Sequence, residues 1–270
     1  MTGKKNKITT LILFTFALII LIPVFTIFIW VFVERWAWPD LLPQVFSTRA
    51  ALEILSRKHQ MVSLFMSSIF ISTVVAALSV VIGTMTARAF VFYDFKGKGI
   101  LYFLSILPFM VPATVFAMGI QVTFIKAGLN NTVYGVVIAQ LIYSLPYAIR
   151  LLMDGTKGVG KGLEEQARVL GATPLKAFYK VSLPLLVPVM LSAFSMAYLV
   201  SFSQYFLTLL IGGGKVKTFT IVMVPYLQSG DRNIASVYSA VFLGITLVIF
   251  GLFEWVANKY SKNYKVDYYA

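Results

Sequence analysis

Leu163–Pro188 reads LEEQARVLGATPLKAFYKVSLPLLVP, a polar and jointed stretch in a chain that is otherwise mostly apolar. Glu164, Glu165 and Arg168, with Lys161 before them and Lys176 and Lys180 after, are costly in hydrocarbon, whereas Leu183 to Leu210 is not. The stretch therefore reads as a water-facing loop feeding directly into a membrane span. Leu163 to Leu170 has the composition of a short helix with Leu163, Ala167 and Leu170 on one side, spaced four and three apart. Gly171 stands where such a helix stops, because glycine enters the left-handed region without a side-chain penalty. Thr173 followed by Pro174 has the form of an N-cap and a first helical residue, so a second short helix is expected at once.

The remainder of the chain supplies the oil. Of 270 residues, 59% are hydrophobic and 12% charged, against roughly 25% charged in a soluble domain, which indicates an all-α polytopic membrane protein. There are no cysteines, so disulfides and thiolate metal sites are excluded. The net charge of +13 is dispersed through short loops rather than gathered in a groove, so nucleic acid is not the partner it implies. His59 is the single histidine and reads as an outer-loop residue, which leaves no histidine metal cluster and little support for a catalytic imidazole.

Six spans are expected. Lys4, Lys5 and Lys7 precede the run Ile8 to Val33, which is too long for a signal peptide and lacks a small-residue cleavage site; it reads as a retained first span with a cytoplasmic N-terminus. Trp30, Trp36 and Trp38 mark the far interface. Residues 34–60 are external, with Ser47 to Leu55 a candidate interfacial helix that either receives a partner or tethers the chain. The second span is Met61 to Ala87, with Ser63, Ser67, Ser68, Ser72 and Ala76 as close-contact positions. The third, Ile100 to Phe124, is interrupted by Pro108 and Pro112, either as a static kink or as a broken helix near a pathway. The fourth is Thr132 to Met153, the fifth Leu185 to Leu210 and the sixth Ile234 to Ala257, with FTIVMVPYLQ at Phe219–Gln228 as a short helix that enters the outer leaflet without crossing. This divides the chain into 1–60, a membrane-spanning core 61–257 that includes the loop 155–184, and a cytoplasmic tail 258–270. It places 15 of the 23 basic residues on the side of Glu165, agreeing with the positive-inside rule.

Within the spans, Gln140 and Ser144 of the fourth and Ser201, Gln204 and Thr208 of the fifth are the polar positions. Ser201, Gln204 and Thr208 share one helical side by their spacing. They line a translocation path or bond neighbouring helices; both readings stand. Gly155 to Gly162, GTKGVGKG, has phosphate-loop spacing but ends in Gly where a Ser or Thr would hold magnesium, and follows a span rather than a strand, so no ATP binding is expected here. Its glycines are expected to give slack before the loop.

Glu165, Gln166 and Ala167, then Gly171, then Val181, Leu183 and Pro184 resemble the EAA signature of the membrane permeases of binding-protein-dependent ABC importers. In that signature Glu-Ala-Ala is followed after three residues by Gly, and after nine more by aliphatic-x-Leu-Pro; Gln166 replaces the first alanine. The resemblance runs from about Ser63 to Val241 and includes FKGKGILYFLSILPFMVPA at Phe95–Ala113. It implies a six-transmembrane-helix permease in a bacterial or archaeal cell membrane, with both termini cytoplasmic. It also implies a coupling helix that docks into a cytoplasmic ATPase dimer, with Glu165 bearing on the docking and Gly171 setting the bend. ATP and Mg²⁺ would sit on the ATPase, and this chain, not itself an enzyme, would pair with a second permease or another copy of itself and with an external substrate-binding protein. Ser203 to Thr220 resembles the polyamine, thiamine, ferric iron and phosphonate group, with polyamine ranked first. An ion-coupled secondary transporter and a membrane scaffold are the readings of another class. The acids, mostly peripheral and absent from span centres, weigh against the former.

Overall fold

The structure, a computed structural model, describes residues 7–264. Lys4, Lys5 and Lys265 lie outside the described residues, as do the side chains of Lys7 and Lys262. In chain order the elements are α1 (Lys7–Trp30), β1 (Val33–Arg35), β2 (Val45–Phe46), α2 (Arg49–Ser56), α3 (Lys58–Phe92), α4 (Lys98–Met110) and α5 (Ala113–Lys126), then α6 (Val133–Val159), α7 (Gly162–Val169), α8 (Pro174–Ala177), α9 (Leu183–Phe202), α10 (Phe206–Gly212), α11 (Phe219–Gln228) and α12 (Arg232–Tyr264). Five helical stretches have the length and composition to cross a membrane, and a sixth does if α4 and α5 count as one broken span. This is a multi-pass helical membrane protein.

The chain forms two compact units. In the first, built from the described residues up to Val62 with Val222–Ile245, α1 is apolar all round and unburied along Thr10–Trp30, the condition of a helix whose neighbours are lipid. A two-stranded antiparallel hairpin, β1 with β2, follows it; this is an addition to the one interfacial helix expected between residues 34 and 60. The interfacial helix forms as α2, and Arg49 at its start pairs with Asp231 at 3.1 Å. His59 sits in the first turn of α3 rather than in a loop, and is exposed.

The second unit, Ser63–Ile221 with Thr246 onward, holds the packed core. Along α3 the buried positions Ser68, Ile71, Ser72, Val75, Ala76, Ser79 and Val80 recur at three- and four-residue spacing and turn one face to α6, α9 and α10. Small residues on that face let helices approach closely, which matters where burial from lipid supplies no hydrophobic drive. The prolines of the third span do more than kink it. Pro112 caps α5, and α4 and α5 meet at 113°.

Three expected boundaries are corrected. First, Gly155 to Val159 is no slack segment: it completes α6, which ends at Gly160, so Arg150 and Asp154 lie within the helix rather than at its close. Secondly, Thr173 does cap and Pro174 does open a helix, but α8 runs through a wide π-helical turn, Phe178–Ser182, straight into α9. The span therefore extends over Pro174–Phe202 instead of starting at Leu185. Pro184 accounts for the wide turn: it has no N–H for the Lys180 carbonyl and its ring would press on that group, and the Leu183 N–H bonds to Phe178 O instead. Thirdly, the fifth span does not continue to Leu210. The helix stops at Phe202 and restarts at Phe206 as α10, so Gln204 lies in the break and does not share a helical side with Ser201 and Thr208.

Candidate functional site

The connection between α6 and the Pro174–Phe202 span carries α7 between two left-handed glycines, Gly160 at φ +70° and Gly171 at φ +93°. At Gly171 the stop is a Schellman motif: Ala172 N–H bonds Ala167 O at 3.0 Å and Gly171 N–H bonds Arg168 O at 3.0 Å. The Thr173 hydroxyl then accepts the Lys176 N–H at 3.3 Å, and the chain turns into α8. No α7 residue is fully buried. Leu163, Ala167 and Leu170 do not form a buried apolar side; Val169 and Leu170 are 87% and 88% exposed, and Leu175 and Tyr179 beside them are exposed too. Glu165, Arg168, Val169, Ala172 and Pro174 border an open hollow of about 450 Å³. The tip of the loop thus exposes a contiguous set of apolar side chains among charges.

The two glutamates of α7 divide. Glu165 is 55% exposed and, among the described residues, pairs with Lys161, one helical turn away, at 3.1 Å. Glu164 is 12% exposed and takes Arg88 Nη2 on both carboxylate oxygens, at 3.0 and 2.9 Å, while Ser182 Oγ donates to it at 2.7 Å. The Arg88 guanidinium lies 4.5 Å above the Phe178 ring and 5.2 Å from that of Phe92. Burial pushes the Glu164 carboxyl up, but the Ser182 hydrogen bond and the hydrogen bond and charge of Arg88 outweigh it and leave the group below its ordinary value. Glu164, Arg88 and Ser182 form a shielded cluster that the motif does not point to. Of the other motif positions, Gln166 is exposed, Ala167 half-buried, and Leu183 and Pro184 half-buried at the start of α9.

The polar residues of the fourth and fifth spans do come together, inside this chain's own bundle. Gln140 is buried on α6; its Oε1 accepts from Ser201 Oγ at 2.5 Å and its Nε2 donates to Thr208 Oγ1 at 2.8 Å. Ser201 Oγ also stands 3.3 Å from Ser72 Oγ, and Ser144 meets Ser79 at 3.0 Å. Gln204 contributes its backbone: its carbonyl, left without a helical partner by the break, accepts from Thr208 Oγ1 at 2.9 Å and Thr220 Oγ1 at 3.1 Å. Non-helical backbone at membrane depth survives only when it is satisfied in this way. Gln140 thus bridges the two sides of the break. A separate cavity of about 450 Å³ opens between α4, α6 and α9, lined by Tyr102, Phe109, Pro146, Tyr147, Arg150 and Met196.

Residues 79–262 match the family of inner membrane components of binding-protein-dependent transport systems. The chain belongs to that family. It is a membrane permease subunit of an ABC importer. The permease is 30% identical over 193 residues to the molybdate/tungstate transport system permease protein WtpB of Pyrococcus abyssi, covering 72% of this chain and 77% of the relative. It is 20% identical over 207 residues to the spermidine/putrescine transport system permease protein PotC of Haemophilus influenzae, covering 77% and 80%. Its fold matches a chain from a bacterial ABC transporter involved in the import of the acidic polysaccharide alginate, with a TM-score of 0.73 at 16% identity, covering 94% of the permease and 98% of that chain.

Proposed function

We propose that the permease carries an oxyanion inward, as one of two permease subunits driven by a pair of cytoplasmic ATPases and fed by an external binding protein. The observation behind this reading is the α7 tip, where Val169, Leu170, Leu175 and Tyr179 stand exposed beside Glu165. Such a surface has a physical reason in a loop only if another protein covers it. Both termini and α7 lie on the cytoplasmic side in this reading, following the basic-residue bias. ATP and Mg²⁺ bind the ATPases, and the work on this chain is a shift between two packings rather than a reaction. The oxyanion rests on the 30% likeness to a molybdate/tungstate permease. Polyamine, the cargo suggested by the Ser203 to Thr220 stretch, is the second reading, favoured by the 20% likeness to a spermidine/putrescine permease.

The test is a mild-detergent pull-down of the chain co-expressed with its chromosomal neighbours, read by mass spectrometry and by ATP hydrolysis with and without the binding protein. An ATPase in the complex and a molybdate-, tungstate- or sulfate-loaded binding protein support the proposal. A binding protein loaded with a polyamine overturns the cargo, and an intact permease with no ATPase overturns the coupling. Glu165→Arg and Gly171→Pro should leave the protein in the membrane and uncouple hydrolysis from transport. At Gly171 the fixed proline φ of about −65° cannot replace a left-handed residue. Normal transport in both would refute the role given to α7.

A further inference from the structure

We propose that Arg88, Glu164 and Ser182 form the joint through which movement of α7 reaches the membrane-spanning helices. The proposal rests on the reading of α7 as the ATPase-docking element, and adds which groups carry the force. Three observations assign it. Gly160 and Gly171 bound α7 with positive φ, and nothing lies within 4 Å of where a side chain would stand at either, so no neighbour packs there against a turn of the loop at these two points. Between those points no α7 side chain is fully buried. The Glu164 carboxylate binds outside its own loop, to Arg88 near the end of α3 and to Ser182 at the entry of α9.

One carboxylate thus gathers a residue 76 positions upstream and another 18 positions downstream. Its partner is equally fixed: the Arg88 guanidinium is 14% exposed and lies over the Phe178 ring, in the π-helical turn that ends at Ser182. An exposed ion pair yields to solvent and transmits little. A charge-assisted pair shielded from water holds its geometry when pulled. Displacement of α7 about its glycine pivots therefore pulls α3 and the wide turn before α9 together, and α9 leads to the Ser201–Gln140 hydrogen bond at the helix break. Arg88, Glu164 and Ser182 are positioning residues. They touch neither ATP nor cargo.

The experiment uses the whole reconstituted importer: permease, ATPase, binding protein and lipid. Arg88→Gln and Glu164→Gln should retain ATPase co-purification and keep binding-protein-stimulated hydrolysis within about twofold, while cargo moved per ATP falls at least about tenfold in each. The double variant should fall no further than either single one, because the pair acts as a unit. Arg88→Lys, which keeps the charge but not the planar guanidinium over the Phe178 ring, should recover part of the ratio. Ser182→Ala keeps the ion pair and folds as a minimal change; a smaller fall in cargo per ATP is expected, and it decides the matter if the charge variants do not assemble. Unchanged cargo per ATP in Ser182→Ala and the single variants overturns the joint, as do losses that multiply in the double variant. Loss of ATPase binding in step with transport also overturns it, since that marks a mere anchor. Failure of the wild-type chain to recruit an ATPase would instead remove the docking reading, and the joint with it.

Discussion

Gly155→Ala is expected to destabilise the permease, although alanine is the better helix former. A Cβ added at Gly155 would stand 2.7 Å and 2.8 Å from the two methyls of Val189 and 3.0 Å from its Cβ. Carbon atoms rest at about 3.5–4.0 Å, so the new methyl is short of room by most of an ångström. Val189 is β-branched and in a helix has essentially one side-chain rotamer, so it does not swing aside. Overpacking of this kind costs about 1–3 kcal/mol, while exchanging glycine for alanine in a helix returns about 1 kcal/mol. The net loss is up to about 2 kcal/mol, a fall in melting temperature of up to about 8 °C for a chain of this size. Thermal unfolding of the purified protein in detergent measures it. Val189→Ala removes both colliding methyls, so in that background Gly155→Ala should become neutral or stabilising by up to about 1 kcal/mol. A higher melting temperature for Gly155→Ala in the wild-type background, or an equal loss in both backgrounds, would refute the reasoning. The contact matters for function because α6 enters the α7 loop and the span containing Val189 leaves it.

Gln140→Leu should cost about 1–2 kcal/mol and no more, because Ser201 still reaches Ser72 and Thr208 still donates to the Gln204 carbonyl, leaving no orphaned hydroxyl; a collapse of the fold would refute this partition. Leu170→Asp changes a fully accessible position, so the melting temperature should move by less than about 0.5 kcal/mol equivalent while ATPase recovery falls at least about tenfold. Unchanged recovery would count against the α7 tip as the docking surface. The Glu164 carboxyl is held below its ordinary value of 4.5, so its contribution is present above that value and disappears as the pH falls through the lower folded value. Proteolytic protection of the α7 loop should therefore be level from neutral pH down to about 5.5 and be lost only in more acid solution. In Glu164→Gln that acid limb should be absent, and loosening between neutrality and pH 6 would refute the assignment.

What the sequence made legible was what a few adjacent residues decide. Gly171, Thr173 and Pro174 stop one helix and start the next with their own hydrogen bonds and fixed torsions, and they do so in the structure as their types require. Pro112 of the third span likewise stands at the break before α5, whereas Pro108 lies inside α4, and whether the prolines kinked or broke the span was open. Distant partners decide what was misread. Gly155 in a glycine-rich run suggests slack, yet the run is helical, because the missing side chain is room for Val189 on a helix over thirty residues away. Ser203, Gln204 and Tyr205 contain no helix breaker, so the interruption there is invisible until Thr208 and Thr220 are seen to satisfy the Gln204 carbonyl.

The two glutamates show the same division at the site itself. Glu164 and Glu165 are neighbours with identical chemistry, and only the 100° step between successive helical residues separates them. That step turns Glu164 inward to Arg88 and Glu165 outward to solvent, so one α7 turn presents a carboxylate to each side. A loop built this way offers one charge outward while the adjacent charge holds it to α3 and to the turn before α9. Neither glutamate can take over the other's task without rotating α7, and the glycine pivots at its ends leave that rotation to be restrained by the Arg88 pair. Arg88 is thus the residue whose removal should leave the outward face intact while disconnecting it from the span.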